Sequence, residues 1–514
     1  GNKPSHNLPQ RDSGSRAPMD RRGANMSALV RLLALTTALL AAGPWGDLAA
    51  HPNETEDAPI LFGALFPRLS ADGVQIAYSY QGAIWRGPTK GGEMIQLTAD
   101  AGFDVNPAWS PDGESIAFIR GEHSFVGKLQ IIRARDGLKV SLPREIIARD
   151  RLFFDLEGSR ILGSFRQPEG GFKLCWLDTR GGTLGDQLHP VQWDLRYALS
   201  HNGRSIVLAT TQDVPGEQGG NFGPQCDLWV MSAEGGQPRK IVRFPGRIYE
   251  VEWAHDNQAV YVVSNVGGVH NDLWRIPLTD PARGAVKLTF GQADEDSPTV
   301  SHDGSRLVYT DNHSGPTALV VRNRRIGQDF SVTASKMVYR QPTGELSLQI
   351  SDESEGGPVT ARVAILQKEG KYYAPPGTLY RMLRGDVHFY CEGRTRFSLP
   401  TGRYLLKVAR GPEYPVFRKE FQVTANQLAS VSMKLRRWTN QRKRGWYSGE
   451  SHIHANYGYG QWYNSPRTML AQGAGEDLIV CNFMVANSEA DGVFDREYFR
   501  GEPDPLSTAD TVLY

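Results

Sequence analysis

The chain has 514 residues, with 57 basic and 56 acidic side chains and a formal net charge of +1. That balance excludes a global field recruiting nucleic acid or an acidic partner, and the length predicts two to four domains. With 55 Gly, 31 Pro and 40% hydrophobic residues, the composition excludes a disordered chain and fits a turn-rich β protein. Cys175, Cys226, Cys391 and Cys481 lie far apart with no C-x-x-C, which predicts buried thiols rather than a disulfide framework or zinc site.

Residues 1–57 read as a polar leader and signal peptide. Arg21, Arg22 and Arg31 flank an apolar run at 32–42, and small residues end it at Leu48-Ala49-Ala50. The run of 11 is too short to span a bilayer. A cleaved leader places the protein in the periplasm or outside the cell, and an uncut N-terminal anchor is the alternative. The sequence begins with Gly1, so the expectation is a fragment or a start at Met19 or Met26.

Residues 58–330 carry a repeat. Trp109 ends an apolar segment, Ser110-Pro111-Asp112-Gly113 turns the chain, and Ile116-Ala117-Phe118-Ile119 resumes it. Pro presets φ and Gly accepts positive φ, which gives this order its physical reason. Equivalent turn residues recur at Gly73, Gly113, Gly158, Gly203, Asn257 and Gly304, at gaps of 40, 45, 45, 54 and 47. A further apolar strand follows each pair, as at Ile84-Trp85 and Leu228-Trp229, and threonine-ended segments follow at Thr98 and Thr289. All-β self-similarity at this period predicts a six-bladed propeller of four-stranded blades. Residues 60–66 are expected to lend the last blade its outer strand, and the Gly-rich insertion 213–224 reads as a surface loop. The Trp-Ser-Pro-Asp-Gly-x-x-Ile-Ala-Phe pattern resembles TolB-like (WD-type) β-propeller repeats over residues 60–325. That resemblance implies fold and leaves function open, because propellers host many functions.

From 336 to 436 the period breaks into strands separated by Gly, Pro and Asp: 346–350, 361–365, 396–399, 404–408, 419–423 and 429–433. The stretch from Phe397 through Gly402 to Val408 resembles a carboxypeptidase-regulatory-like or immunoglobulin-like sandwich. Residues 434–444 hold six basic side chains without an interleaved reader motif, which favours a solvated linker over a phosphate- or lipid-binding segment.

Residues 437–514 hold the chemistry. In a strand, residues two apart face one way, so Glu450, His452 and His454 are expected to project together. Two imidazoles and a carboxylate suit a divalent transition metal such as Zn, Mn or Fe. The region 445–500 resembles the start of CehA/McbA-type metallohydrolases, relatives of the polymerase-and-histidinol-phosphatase (PHP) superfamily. The resemblance implies His452 and His454 as metal ligands. Glu450 stands where the family usually has Asp, and Ala486-Asn487 stands where it usually has Asp-His. Asp477, Glu489 and Asp491 read as loop or cap residues. A β/α barrel needs on the order of 200 residues, and about 70 follow the linker. The expected fold class is therefore mainly β, a propeller plus a sandwich, with an incomplete C-terminal α/β (PHP-like barrel) fragment. The expected function is the N-terminal portion of an exported metal-dependent hydrolase, inactive alone. The alternative is a non-enzymatic propeller that binds a protein or glycan partner. Neither reading expects nucleic acid as a partner or a transmembrane span beyond the leader.

Overall fold

The computed structural model describes residues 59–122, 126–190, 195–211, 225–267, 270–291, 293–354, 356–383, 386–453, 465–484 and 500–514. The leader, the 213–224 insertion, His454, Asn487, Glu489 and Asp491 lie outside the described residues.

Six successive four-stranded meanders follow one another along the chain, from Leu65–Leu69 at the start of the first to Gln328–Ser331 at the end of the sixth. The six inner strands begin at Leu65, Phe103, Ile147, Arg196, Glu250 and Glu295. Each lies against the next, and the sixth lies against the first, so the meanders close into a ring. This is the six-bladed propeller that the turn spacing predicts.

The repeated turn earns its residues. In the second blade, Ser110 Oγ donates to Asp112 Oδ1 at 2.5 Å, while the Glu114 N–H donates to the same oxygen at 3.0 Å and the Ser115 N–H to Ser110 Oγ at 2.9 Å. Gly113 sits at φ 74°. The same Ser–Asp–Gly wiring holds the first and sixth blades. Blades are then cross-linked by tryptophan: Trp109 Nε1 donates to Arg68 O and Trp253 Nε1 to Ala198 O, each at 3.0 Å. Thr98 and Thr289 end their segments because each hydroxyl accepts a backbone N–H, from Ile84 and Leu273.

Closure differs from the expectation at the N-terminus. The last blade builds its own outer strand, Gln328–Ser331, against Ala318–Asn323. Residues 60–63 contribute only isolated bridges, Ile60 to Thr333 and Phe62 to Ala318. With that edge already paired, the N-terminal segment acts as a clasp rather than a blade strand. A fifth strand, Ala334–Val338, adds parallel to the outer strand of the first blade and leads the chain out of the ring.

Two sheets then share one core. Thr343–Asp352, Arg394–Pro400 and Leu428–Leu435 form one, and Thr360–Gln367, Asp386–Glu392, Gly402–Ala409 and Phe417–Val423 lie in the other. Leu348, Phe397 and Met433 of the first pack with Val363, Phe389 and Leu406 of the second. All six strands expected here are strands. Asp386–Glu392 was not anticipated. The sandwich is fastened to the propeller through a fully buried ionic group: Lys371 Nζ lies 2.9 Å from Asp104 Oδ2, and Asp104 also receives both Arg120 Nε and Nη2. Phe103 stacks on Tyr372 at 5.3 Å, and Gln81 Nε2 donates to Ala374 O at 2.8 Å. All four cysteines are buried thiols.

The C-terminal unit is α/β. Gly449–Ile453, Val480–Phe483 and Val512–Leu513 form a parallel sheet in that order, with helix Pro466–Gly475 between the first two strands. Ser465 caps the helix in a reciprocal box with Thr468, and Pro466 occupies its first turn. Ile453, Cys481, Phe483 and Leu513 form the core with Met469 and Leu470 of the helix.

Candidate functional site

The metal-like strand is placed at the opening of this parallel sheet, and His452 is exposed near its carboxyl end. Glu450 aligns with Cys481 and Ile453 with Phe483, so three residues on one strand answer two on its neighbour. That register shift interrupts the two-residue alternation on which a shared Glu450–His452 face depends. The Glu450 carboxylate instead accepts the His452 backbone N–H at 3.0 Å. Burial, with the Glu450 charge adding to it, pushes the Cys481 thiol up to about 11, so this sulfur stays protonated near neutrality. Among the described residues no three His, Cys, Asp or Glu side chains gather as a metal-holding group.

Asp477 is a clamp. It follows the helix at φ 57° and accepts from Arg410 Nη2 at 3.0 Å and from Arg437 Nη2 at 2.9 Å. Arg437 also meets Glu413 at 2.8 Å and lies 4.4 Å over the Tyr414 ring. Part of the basic run is thus a half-buried tie to the sandwich rather than a solvated linker. Gly475 permits the close approach, because a Cβ there would fall 2.4 Å from the Tyr390 ring.

A second site lies in the propeller. Inner strands are edge strands facing the ring's channel, where proline and bulges are tolerated. Four inner strands carry register shifts around a residue with positive φ: Phe66 (55°), Asn106 (52°), Asp150 (64°) and Ser297 (55°). Pro67, Pro107 and Pro298 follow three of them. Bulges re-aim side chains. At the Ser–Asp–Gly turn end, a cavity of about 140 Å3 is lined from all six blades, including Arg68, Trp109, Arg151, His201, Glu252 and His302.

Arg151 pairs with Glu252, donates to Val251 O, and lies 4.9 Å over the Phe153 ring. His201 Nε2 donates to Trp253 O at 3.3 Å and meets His302 edge-on at 4.9 Å between ring centres. Burial and the facing His201 lower the His302 pKa, so His302 is neutral at physiological pH. Sequence reasoning missed these residues. The available cues were histidine recurring at one turn position (201, 255, 302) and proline inside apolar strands.

Farther along the ring, Asp294, Glu295 and Asp296 sit in succession. Burial, with Asp311, Asp272 and Asp294 adding to it, pushes Glu295 up to about 9. Asp296 is raised too, by burial first and by Asp294 and Glu250 after it. A raised carboxyl favours the folded state below its unfolded value of 4.5, and that advantage drains away as pH climbs toward about 9. Glu295→Gln removes this slope. Its unfolding free energy relative to wild type should rise between pH 5 and 8, by up to about 1.4 kcal/mol per pH unit. A gap independent of pH in calorimetry would show that Glu295 is not held protonated.

The ring, its docked sandwich and the parallel α/β unit define a multidomain β-propeller protein. No family model matches the chain. It is 26% identical over 147 residues to YuxL of Bacillus subtilis, an uncharacterised peptidase. That stretch is 27% of this chain and 22% of the relative, so the chain matches under a quarter of the relative's length. Among solved structures it is similar to a TolB protein of Agrobacterium tumefaciens (16% identity, 48% of this chain and 90% of that one, TM-score 0.38). It is also similar to TolB of Acinetobacter baumannii (13%, 52% and 65%, TM-score 0.42) and to the tricorn protease (14%, 71% and 39%, TM-score 0.41). The propeller assignment rests on strand order and ring closure. Among the described residues no helix is long and apolar enough to cross a membrane.

Proposed function

We propose that this chain is the exported, N-terminal recognition portion of a metal-dependent hydrolase, with the propeller as its binding module and the C-terminal unit as the opening of the hydrolase domain. The observation that carries this reading is the parallel strand–helix–strand unit whose first strand ends at the His452/His454 motif. In parallel α/β folds, reacting groups gather at the carboxyl ends of strands. On this reading His452 and His454, with Glu450 beside them, hold Zn, Mn or Fe. Such a metal would lower the pKa of bound water and supply hydroxide near neutral pH. The clamp through Asp477 keeps that strand in a fixed place on the sandwich. Export rests on the leader anatomy of residues 26–50.

The test uses the polypeptide as its native source makes it, assayed on a panel of ester and phosphoester substrates. Turnover abolished by a chelator and restored by Zn, Mn or Fe supports the reading. Turnover indifferent to chelation, or none at all, overturns it.

A second reading is favoured by the six-blade lining of the channel mouth: a non-enzymatic propeller that holds a protein or glycan partner. It is separated from the first by binding that persists while hydrolysis is absent.

A further inference from the structure

Residues 434–447 hold six cations and no acidic side chain, and the fold neutralises only part of that charge. Arg437 is committed to Glu413 and Asp477, and Arg442 meets Asp510 at 2.7 Å. Arg436 is 84% exposed beside Glu353. Lys434, Lys443 and Arg444 are exposed and form no ion pair among the described residues.

The backbone brings aromatic residues to the same place. Arg442–Arg444 form one turn of 3-10 helix, ended by Gly445 at φ 82°. The Gly445 N–H donates to Arg442 O at 3.0 Å and the Trp446 N–H to Gln441 O at 3.1 Å, the bond pair of a Schellman motif. The residue at the Trp446 position of that motif often packs back on an apolar residue of the turn. Here the turn offers Gln441, and Trp446 stays 73% exposed, with Tyr447 beside it at 62%. Glu413 anchors the segment, its carbonyl accepting the Trp438 N–H at 3.0 Å and its carboxylate the Gln441 N–H at 3.1 Å. Trp438 is also largely exposed. Each of the six residues from Arg442 to Tyr447 is exposed, so the turn stands out from the surface instead of lining a cleft. Single exposed apolar residues are ordinary, whereas a contiguous group of them marks a contact.

We propose that this turn docks the protein on a bilayer that contains anionic lipid, with Trp446 and Tyr447 entering the headgroup level and Lys443 and Arg444 meeting lipid phosphates. Tryptophan and tyrosine favour the membrane–water interface because their rings are apolar with one polar tip. Each Lys or Arg near an anionic leaflet strengthens binding by about 5-fold. Sugars and small ligands are taken into concave sites that bury most of their surface, whereas a protruding turn fits an extended one. Two rings and two free cations give reversible attachment that needs both signals. The docking does not depend on a metal at His452 and His454.

Co-sedimentation with vesicles decides it, using the polypeptide as its native source makes it. The probes are vesicles of phosphatidylcholine alone and vesicles with one quarter phosphatidylglycerol. Binding to the anionic vesicles is expected to be at least about 10-fold tighter. Lys443→Gln with Arg444→Gln should remove that preference, and Trp446→Ser with Tyr447→Ser should weaken binding to both compositions. A wild type that binds neither vesicle overturns the proposal. So does vesicle binding that neither double variant weakens, because the contact is then elsewhere, an uncut leader included. A heparin-derived octasaccharide held by Lys443 and Arg444 in the absence of vesicle binding makes the partner an acidic glycan and overturns the lipid assignment. If a double variant melts early, Lys443→Gln and Trp446→Ser as single changes give the same comparison.

Discussion

Asp104→Ala should destabilise the chain by about 3–5 kcal/mol, the range for removing one partner of a buried ionic group. Asp104 and Lys371 have fully buried side chains, and Asp104 is the carboxylate facing both Lys371 and Arg120. Without it the Lys371 ammonium keeps, among the described residues, the Gly102 carbonyl at 2.6 Å. Burial already holds the Lys371 pKa below its ordinary value. A lowered lysine pKa costs the fold stability as pH falls, so the variant should be least stable at low pH and recover as pH rises toward 10. Adding Lys371→Met should return most of the loss, because an apolar replacement of a whole buried pair is often neutral. Denaturant melts of the two single variants and the double variant give the coupling. A single-variant loss under about 1 kcal/mol would show that the group does not hold propeller and sandwich together.

Asp477→Ala should uncouple the C-terminal unit from the sandwich at a cost of about 3–5 kcal/mol of local stability. Arg410 and Arg437, each under one-sixth exposed, lose their shared carboxylate. The propeller shares no residue with that clamp, so its melting should stay put. Limited proteolysis should cut between 437 and 448 in the variant and spare the wild type. Unchanged cleavage would mean that Tyr390, which donates to Glu476 at 3.1 Å, and Arg362, 3.3 Å from the same carboxylate, suffice to hold the unit.

The ring was legible in the sequence because each blade repeats a local wiring. Ser110, Asp112 and Gly113 bond within a few residues of one another, and local bonds leave local patterns. The strand pairs of the sandwich were legible for a similar reason, since Leu346, Leu348 and Ile350 alternate inward. What escaped is long-range or depends on register. Lys371 and Asp104 are 267 residues apart, and no periodicity links them. Arg68 and Arg151 lie beside bulges whose shift decides which side chains meet the channel; Pro67 marked the first bulge, and the strand Ile147–Phe154 around Asp150 carries no proline to mark the second. The outer strand of the last blade was missed because Gln328–Ser331 is short and polar at its start.

Metal stoichiometry decides whether the His452/His454 strand belongs to a metal-dependent hydrolase. The native polypeptide and its His452→Ala/His454→Ala variant, purified without chelator, are compared by mass-spectrometric metal analysis. The wild type should carry a bound transition metal and the double variant should lose it. Equimolar metal that survives both substitutions, or a wild type that binds none, would contradict it.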